Sequence, residues 1–458
     1  MQFQQLIARL FSAVGVVFLA VMATSFFAKS DDNLVTDRYL LINNVDVFDG
    51  VNPKLIKNSQ VLVINDEIAA IGSIPDNLPS RLQIIDGQGN TLMPGLIDAH
   101  WHTLMAAASF KDLSQGDASY LHTLAAVEAS NTLLRGFTTV RDMAGPAFGL
   151  KKAIDENLLQ GPRIYPSGAG ISQTSGHGDI RHRFNPPKAF GGAPSRWESL
   201  GLMSVADGEA GVLTAVREQL RQGAVHIKIM GGGGVASIAD PLDSVQFTQQ
   251  EIKAAVQAAA DFGTYVTAHI YTAPAAQRAI AAGVKSIEHG HLLDDKTLQL
   301  MANKGVWLST QPFHLDEVPA YYNASQKEKL RLVTQGTAKL YRLAKKYKVK
   351  VAFGTDLLFA TANAAKQNQE LVKLQQWLTP FEILNMATAN NGELLRLTGA
   401  RNPYPKKLGV VAVGAYADLI LVKGDPLANI NLLADPKNNI AVIIKNGTVI
   451  KNTLTTRH

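Results

Sequence analysis

Cysteine is absent from all 458 residues. That excludes disulfide frameworks, thiolate zinc sites, iron–sulfur clusters and a cysteine nucleophile, and it leaves His, Asp, Glu and Lys for any metal chemistry. Charge is sparse too. With 18% charged and 46% hydrophobic residues, the composition argues against a disordered chain and permits a large core. The cationic excess is mild, a formal net charge of +6. A basic run, Lys345-Lys346-Tyr347-Lys348, falls at the end of a predicted helix, where cations complement the helix dipole, so no nucleic-acid partner is expected. At the N-terminus Arg9 precedes an uncharged apolar run, Leu10 to Ala28, and Ala28-Lys29-Ser30 offers small residues where a signal peptidase reads. Residues 1–30 are therefore expected to be a signal peptide of a periplasmic or secreted protein, anchored to a membrane only if left uncleaved.

What is present from residue 94 to about 400 is one repeated phrase: a helix-period stretch, a glycine, then a short strand of apolar or β-branched residues. Tyr120–Arg135 stops at Gly136 before Phe137–Arg141, and Leu150–Leu159 leads past Gly161 to Arg163–Pro166. Val225–Met230, Tyr265–His269, Lys285–His289, Val306–Thr310 and Lys350–Thr355 follow in the same way. Thr248-Gln249-Gln250-Glu251 opens one of the intervening helices as a capping box. With an opening strand Thr91–His100 the phrase supplies eight strands, which predicts an α/β protein with a closed (β/α)₈ barrel over 91–402. The flanks, 31–90 and 403–458, are short alternating strands. Each has too few to bury a core, so a small β-sandwich built from both chain ends is expected. A long connection, 167–211, is rich in Gly, Pro and Arg and lies where barrels keep active-site loops.

The chemistry-bearing residues fall at the ends of these strands. His100 and His102 close the first, Lys228 lies in the fourth, His269 and His289 close the fifth and sixth, and Asp356 follows the eighth. Carboxyl ends of barrel strands form the catalytic face of such folds. The His-x-His pair shares one side of its strand, because side chains alternate with period two, and can reach one metal. A lysine among them does not fit as a simple ligand, since an ammonium donates no lone pair.

With these residues in place, the chain resembles the amidohydrolase superfamily of metal-dependent hydrolases over nearly its whole mature length. Gly89-Asn90-Thr91-Leu92-Met93-Pro94-Gly95-Leu96-Ile97-Asp98-Ala99-His100 looks like the family's first-strand signature, and Gly414-Ala415-Tyr416-Ala417-Asp418-Leu419 like its C-terminal segment. The resemblance implies two divalent ions, taken as zinc. Lys228 becomes N6-carboxylysine and bridges them, His100 and His102 with Asp356 hold one, and His269 with His289 hold the other. It also implies a metal-bridging hydroxide as nucleophile, with Asp356 accepting its proton and delivering it to the departing amine.

Within the superfamily the sequence looks most similar to the prolidase-like and imidazolonepropionase-related branch, with its metallocarboxypeptidases and ochratoxin-hydrolysing amidases. That implies release of a C-terminal amino acid from an N-acyl amino acid or dipeptide bearing a free carboxylate. His177, within Ser175-Gly176-His177-Gly178-Asp179, and Tyr271 resemble that branch's substrate contacts; Arg181, Arg183 and His291 are further candidates. A mononuclear deaminase or cyclic-amide hydrolase, and a non-catalytic binding protein on a decayed barrel, are the alternatives. A homo-oligomer is expected.

Overall fold

The computed structural model describes residues 37–454, apart from 238, 315–317, 320 and 321. The signal peptide expected over 1–30 lies outside the described residues. The chain divides into Met1–Arg38 and a second unit, Tyr39–His458, to which everything below belongs. Among the described residues no helix is long and apolar enough to cross a membrane.

The N-terminal part contributes β1 (Tyr39–Val47), β2 (Ile56–Ile64), β3 (Glu67–Ile71) and β4 (Leu82–Pro94). A parallel set follows: β5 (Leu96–Trp101), β6 (Phe137–Asp142), β7 (Arg163–Pro166), β8 (Gly170–Ser172), β9 (Met203–Val205), β10 (Ile227–Met230), β11 (Val266–Thr272), β12 (Ser286–Leu292), β13 (Trp307–Thr310) and β14 (Val351–Phe353). The C-terminal part adds β15 (Leu419–Val422), β16 (Ile440–Lys445) and β17 (Thr448–Asn452).

Both chain ends do build one β unit, but as a single sheet ordered β17-β16-β15-β4-β1-β2-β3 where two stacked layers were expected. The long strand β4 is the reason. Leu82–Leu92 pairs in parallel with β1, while Thr91–Pro94 pairs antiparallel with β15, so hydrogen bonds continue from one chain end to the other. The expected opening strand Thr91–His100 is correspondingly two elements. Gly95 donates its N–H to Asp418 O, and the next residue, Leu96, donates to Gly136 O. The backbone changes sheets at that step, and only glycine fits there, since a Cβ would stand 2.2 Å from the Thr138 side chain.

The parallel strands form two arcs, β5-β6-β7 and β14-β13-β12-β11-β10-β8-β9, rather than the closed ladder expected. The third predicted strand is β7, with the expected bounds; it ends at Pro166, which has no N–H to continue a ladder, and the chain re-enters the larger arc as β8. Backbone hydrogen bonds cross the two seams, Val225 N–H to Pro166 O at 2.9 Å and Asp356 N–H to His100 O at 2.8 Å.

Helices follow the strands as the spacing predicts. Thr248 and Glu251 make the capping box that starts Gln249–Asp261, and Thr379 with Glu382 does the same for Pro380–Asn385. Alternation along the strands sorts their side chains. Ile227, Ile229, Ala268, Ile270, Ile287 and Leu308 face the helices in one buried core with Ala255, Ala258, Ala276 and Ala279. Lys228, Thr267, His269, Ser286 and Glu288 occupy the other side, and all are buried.

Candidate active site

Asp356 is the point on which the histidines converge. His102 Nε2 lies 3.0 Å and His100 Nε2 3.5 Å from its Oδ1, and His289 Nδ1 lies 4.0 Å from its Oδ2. His100, His289 and Asp356 each offer a ligand atom within 4.8 Å of the others, a group able to hold a metal ion. His269 is adjacent, its ring 4.4 Å from that of His289. Its Nε2 lies 3.3 Å from Gly233 O, so a metal would meet its Nδ1.

Two of these residues have unusual backbones. His289 has φ 76° and Asp356 φ 55°, in the left-handed region that non-glycine residues rarely occupy. At His289 the consequence is specific. Strict alternation would send neighbouring residues to opposite sides of β12, yet Glu288 and His289 both reach the same cluster. The break in alternation is what aims them together.

Glu288 is the residue that sequence reasoning missed. Its carboxylate accepts from His100 Nδ1 at 2.8 Å, Arg141 at 2.7 Å and Ser286 Oγ at 2.9 Å, and also from Thr267 Oγ1. Burial alone would raise its pKa; the Arg141 guanidinium and His100 hold it well below the usual carboxylate range. Arg141 is itself fixed by Ala99 O at 2.6 Å and Tyr265 OH at 3.0 Å. The arrangement fixes the His100 ring with Nε2 toward Asp356. On the other side, the Gln311 amide oxygen lies 2.8 Å from His289 Nδ1. A signal existed for both charges, since a lone Arg or Glu inside an otherwise buried strand needs a partner.

Burial is the main electrostatic influence. It pushes His100 down to about 4 and, with neighbouring charges, His269 and His289 well below 6.5, leaving all three imidazoles in the neutral form that ligates metals. Burial would raise the Asp356 carboxyl, but His100, His102 and His289 together hold it low and ionised. Lys228, only 1% exposed, has its amine lowered to about 8 by desolvation, partly opposed by Glu288 and Asp356. Neutral imidazoles and a carboxylate are donors that suit a divalent ion of the zinc type, so the residues present fit such a group.

The predicted substrate contacts divide. His177 stacks on His269 at 4.1 Å, Tyr271 stacks on His289 at 4.8 Å, and His291 lies beside them with its ring 5.8 Å from Tyr271. Arg181 is committed elsewhere, gripping the Asp179 carboxylate through two nitrogens and donating to Asn185 O. Arg183 is exposed and makes none of the contacts that define the cluster. Asp179, two residues before Arg181 on the same loop, outcompetes a distant ligand for that guanidinium. His226 is buried and stacked on Tyr265 at 5.7 Å, beneath the cluster.

The amidohydrolase family pattern matches residues 91–450. Ochratoxinase of Aspergillus niger is 31% identical over 418 residues, covering 86% of this chain and 83% of its own. A solved prolidase complexed with N-methylphosphonate-L-proline superposes with a TM-score of 0.82 at 34% identity, covering 90% of this chain and 100% of that one. An Xaa-Pro dipeptidase with methionine bound in its active site gives 0.77 at 30% identity, covering 90% and 100% respectively.

Proposed function

We propose, from the premise that this chain belongs to the amidohydrolase family in its prolidase-like and ochratoxinase branch, that it releases a C-terminal amino acid from an N-acyl amino acid or dipeptide. It is a metal-dependent hydrolase of carbon–nitrogen amide bonds. The observation that carries the finer reading is the convergence of His100, His102 and His289 on Asp356, with buried Lys228 electrostatically coupled to that carboxylate.

Two zinc-type ions, held by His100, His102 and Asp356 and by His269 and His289, with Lys228 carboxylated between them, would supply Lewis acidity and make water nucleophilic at neutral pH. The chain's own residues do the rest. Asp356, kept ionised by its imidazole neighbours, receives the proton of the attacking water on a carboxylate oxygen and returns it to the departing amine nitrogen. Lys228, its amine lowered to about 8, has a far larger uncharged fraction at neutral pH than an ordinary lysine, and the uncharged form is the one that reacts with carbon dioxide. His177 and Tyr271, layered on His269 and His289, orient the substrate's free carboxylate. The prolidase and dipeptidase relatives support a dipeptide-like substrate. We read residues 91–402, which carry both parallel arcs, as the catalytic (β/α)₈ part and the terminal sheet as its flank. The apolar layout of residues 1–30 supports export.

A substrate panel varying the C-terminal residue, run with and without chelator, tests this. Chelation is expected to abolish turnover and added zinc to restore it. Lys228→Ala is expected to keep at most one metal equivalent and lose about a hundredfold or more in kcat/KM. Chelator-insensitive turnover, or full activity with both equivalents retained in Lys228→Ala, would overturn the assignment.

A further inference from the structure

His177 comes from the long loop between β8 and β9, past the end of β8, yet its ring is held on three sides. One face stacks on His269, the two planes 14° apart. The ring also lies against the backbone at Gly234, where a Cβ would stand 1.9 Å from the imidazole. Its Nδ1 edge meets Ser237 Oγ at 3.1 Å and the Asp240 carboxylate at 3.5 Å, and its backbone N–H donates to Gln246 Oε1 at 2.8 Å. Nδ1 is the ring nitrogen taken by these partners, so Nε2 is the one offered to a substrate.

The residues that hold the ring are themselves held from another element. Lys329, in the helix Ala324–Tyr347, is 91% buried although it is a lysine. Its ammonium donates to three main-chain carbonyls of the segment after β10: Gly234 O at 3.1 Å, Ser237 O at 3.0 Å and Asp240 O at 2.6 Å. Gln326, one turn earlier on that helix, donates to Ala236 O at 2.5 Å. Asp240 in turn accepts the Gly234 N–H at 2.8 Å and a bond from Ser237 Oγ. A buried ammonium costs free energy that carbonyl partners must offset, and a lysine spent on three carbonyls of one short segment fixes the shape of that segment. The carbonyls of Gly234, Ser237 and Asp240 are thereby tied to one point on that helix.

We propose that Lys329, acting through Gly234, Ser237 and Asp240, is a positioning residue that sets the His177 ring against His269 and so determines how strongly the enzyme prefers substrates with a free carboxylate. This rests on the reading of His177 as a carboxylate contact. Lys329 touches neither substrate nor metal ligand. Its role is to remove the freedom the loop would otherwise have, so the bond from His177 is formed without an ordering cost.

The test compares the metal-loaded full chain with Lys329→Met, Gly234→Ala and His177→Ala, using the fastest N-acyl amino acid of the panel and its C-terminal carboxamide. Melting temperature is recorded for each variant. Lys329→Met removes the ammonium at nearly constant length. Gly234→Ala reaches the same ring from the opposite direction, by displacing it, and keeps the proposal testable should the lysine variant fold poorly. Both are expected to lower the carboxylate-to-carboxamide ratio of kcat/KM about tenfold or more, the size of one lost charge-assisted bond. The loss is expected in KM for the carboxylate substrate, with kcat on the carboxamide nearly unchanged, a split that loosened packing alone would not produce. If both variants keep the wild-type ratio while His177→Ala collapses it, the positioning role is overturned and the carboxylate contact survives. If His177→Ala also keeps the ratio, both are overturned.

Discussion

Glu288 couples folding to the site at the scale of single residues. Its carboxylate neutralises a fully buried Arg141 on one side and fixes the His100 ring on the other. Removing one charge of a buried pair leaves the partner desolvated and uncompensated, which costs about 3 kcal/mol or more. Glu288→Gln is therefore expected to lower the melting temperature of the metal-free protein by about 5 °C or more. It is also expected to weaken zinc affinity about tenfold or more, through the freed His100 ring. Adding Arg141→Met should recover most of the stability and none of the affinity, because the hydrophobic replacement leaves no orphaned charge while the ring stays unfixed. Equal recovery of both would show that the two roles are one. The site histidines and Asp356 were legible because each ends or follows a strand that the local sequence pattern predicts. Glu288 was not, because the period-two rule assigns it the side opposite His289, and only the φ of 76° at His289 undoes that rule.

Among the elements, the clearest division lies at turns. Asn446-Gly447 links β16 and β17, both residues with positive φ. Asn-Gly between alternating apolar residues is a strong hairpin signal, and it was present in the sequence. The position also has a tertiary requirement, since a Cβ on Gly447 would stand 1.8 Å from Asn65 O. Gly72 has a similar φ of 79° with open space around it. Gly72→Ala should therefore cost only the conformational term, about 1 kcal/mol, and Gly447→Ala about twice that or more. Thermal melting of the two variants checks this; equal losses would mean that the hairpin yields and the approach to β2 is not tight. The helices needed no such help, because their capping boxes at Thr248 and Thr379 are local and act before any packing does.

For the molecule as a whole, the terminal sheet ties the two chain ends together across the sequence. β4 is paired by β1 on one side and by β15 on the other, and Arg163, at the start of β7, grips Asp418 at 2.6 Å just before β15. A chain cut after residue 414 would leave the Leu92–Pro94 edge unpaired and expose the apolar faces that Ile420, Val422, Ile440 and Ile443 cover. Such a truncation is expected to give insoluble protein or to lose its cooperative melting transition, and soluble, active material would show that the sheet is dispensable. The sequence by itself determined the strand–helix alternation, the helix starts, the placement of six candidate site residues in or just after the parallel strands and the absence of thiolate chemistry, because these depend on local periodicity and residue type. Only the tertiary structure decided that both termini share one sheet, that the parallel strands break into two arcs at Pro166, that Arg181 is consumed by Asp179, and that Glu288, Asp240 and Lys329 support the site. Those outcomes are competitions among groups far apart in the chain, settled by which partners burial brings within hydrogen-bonding distance.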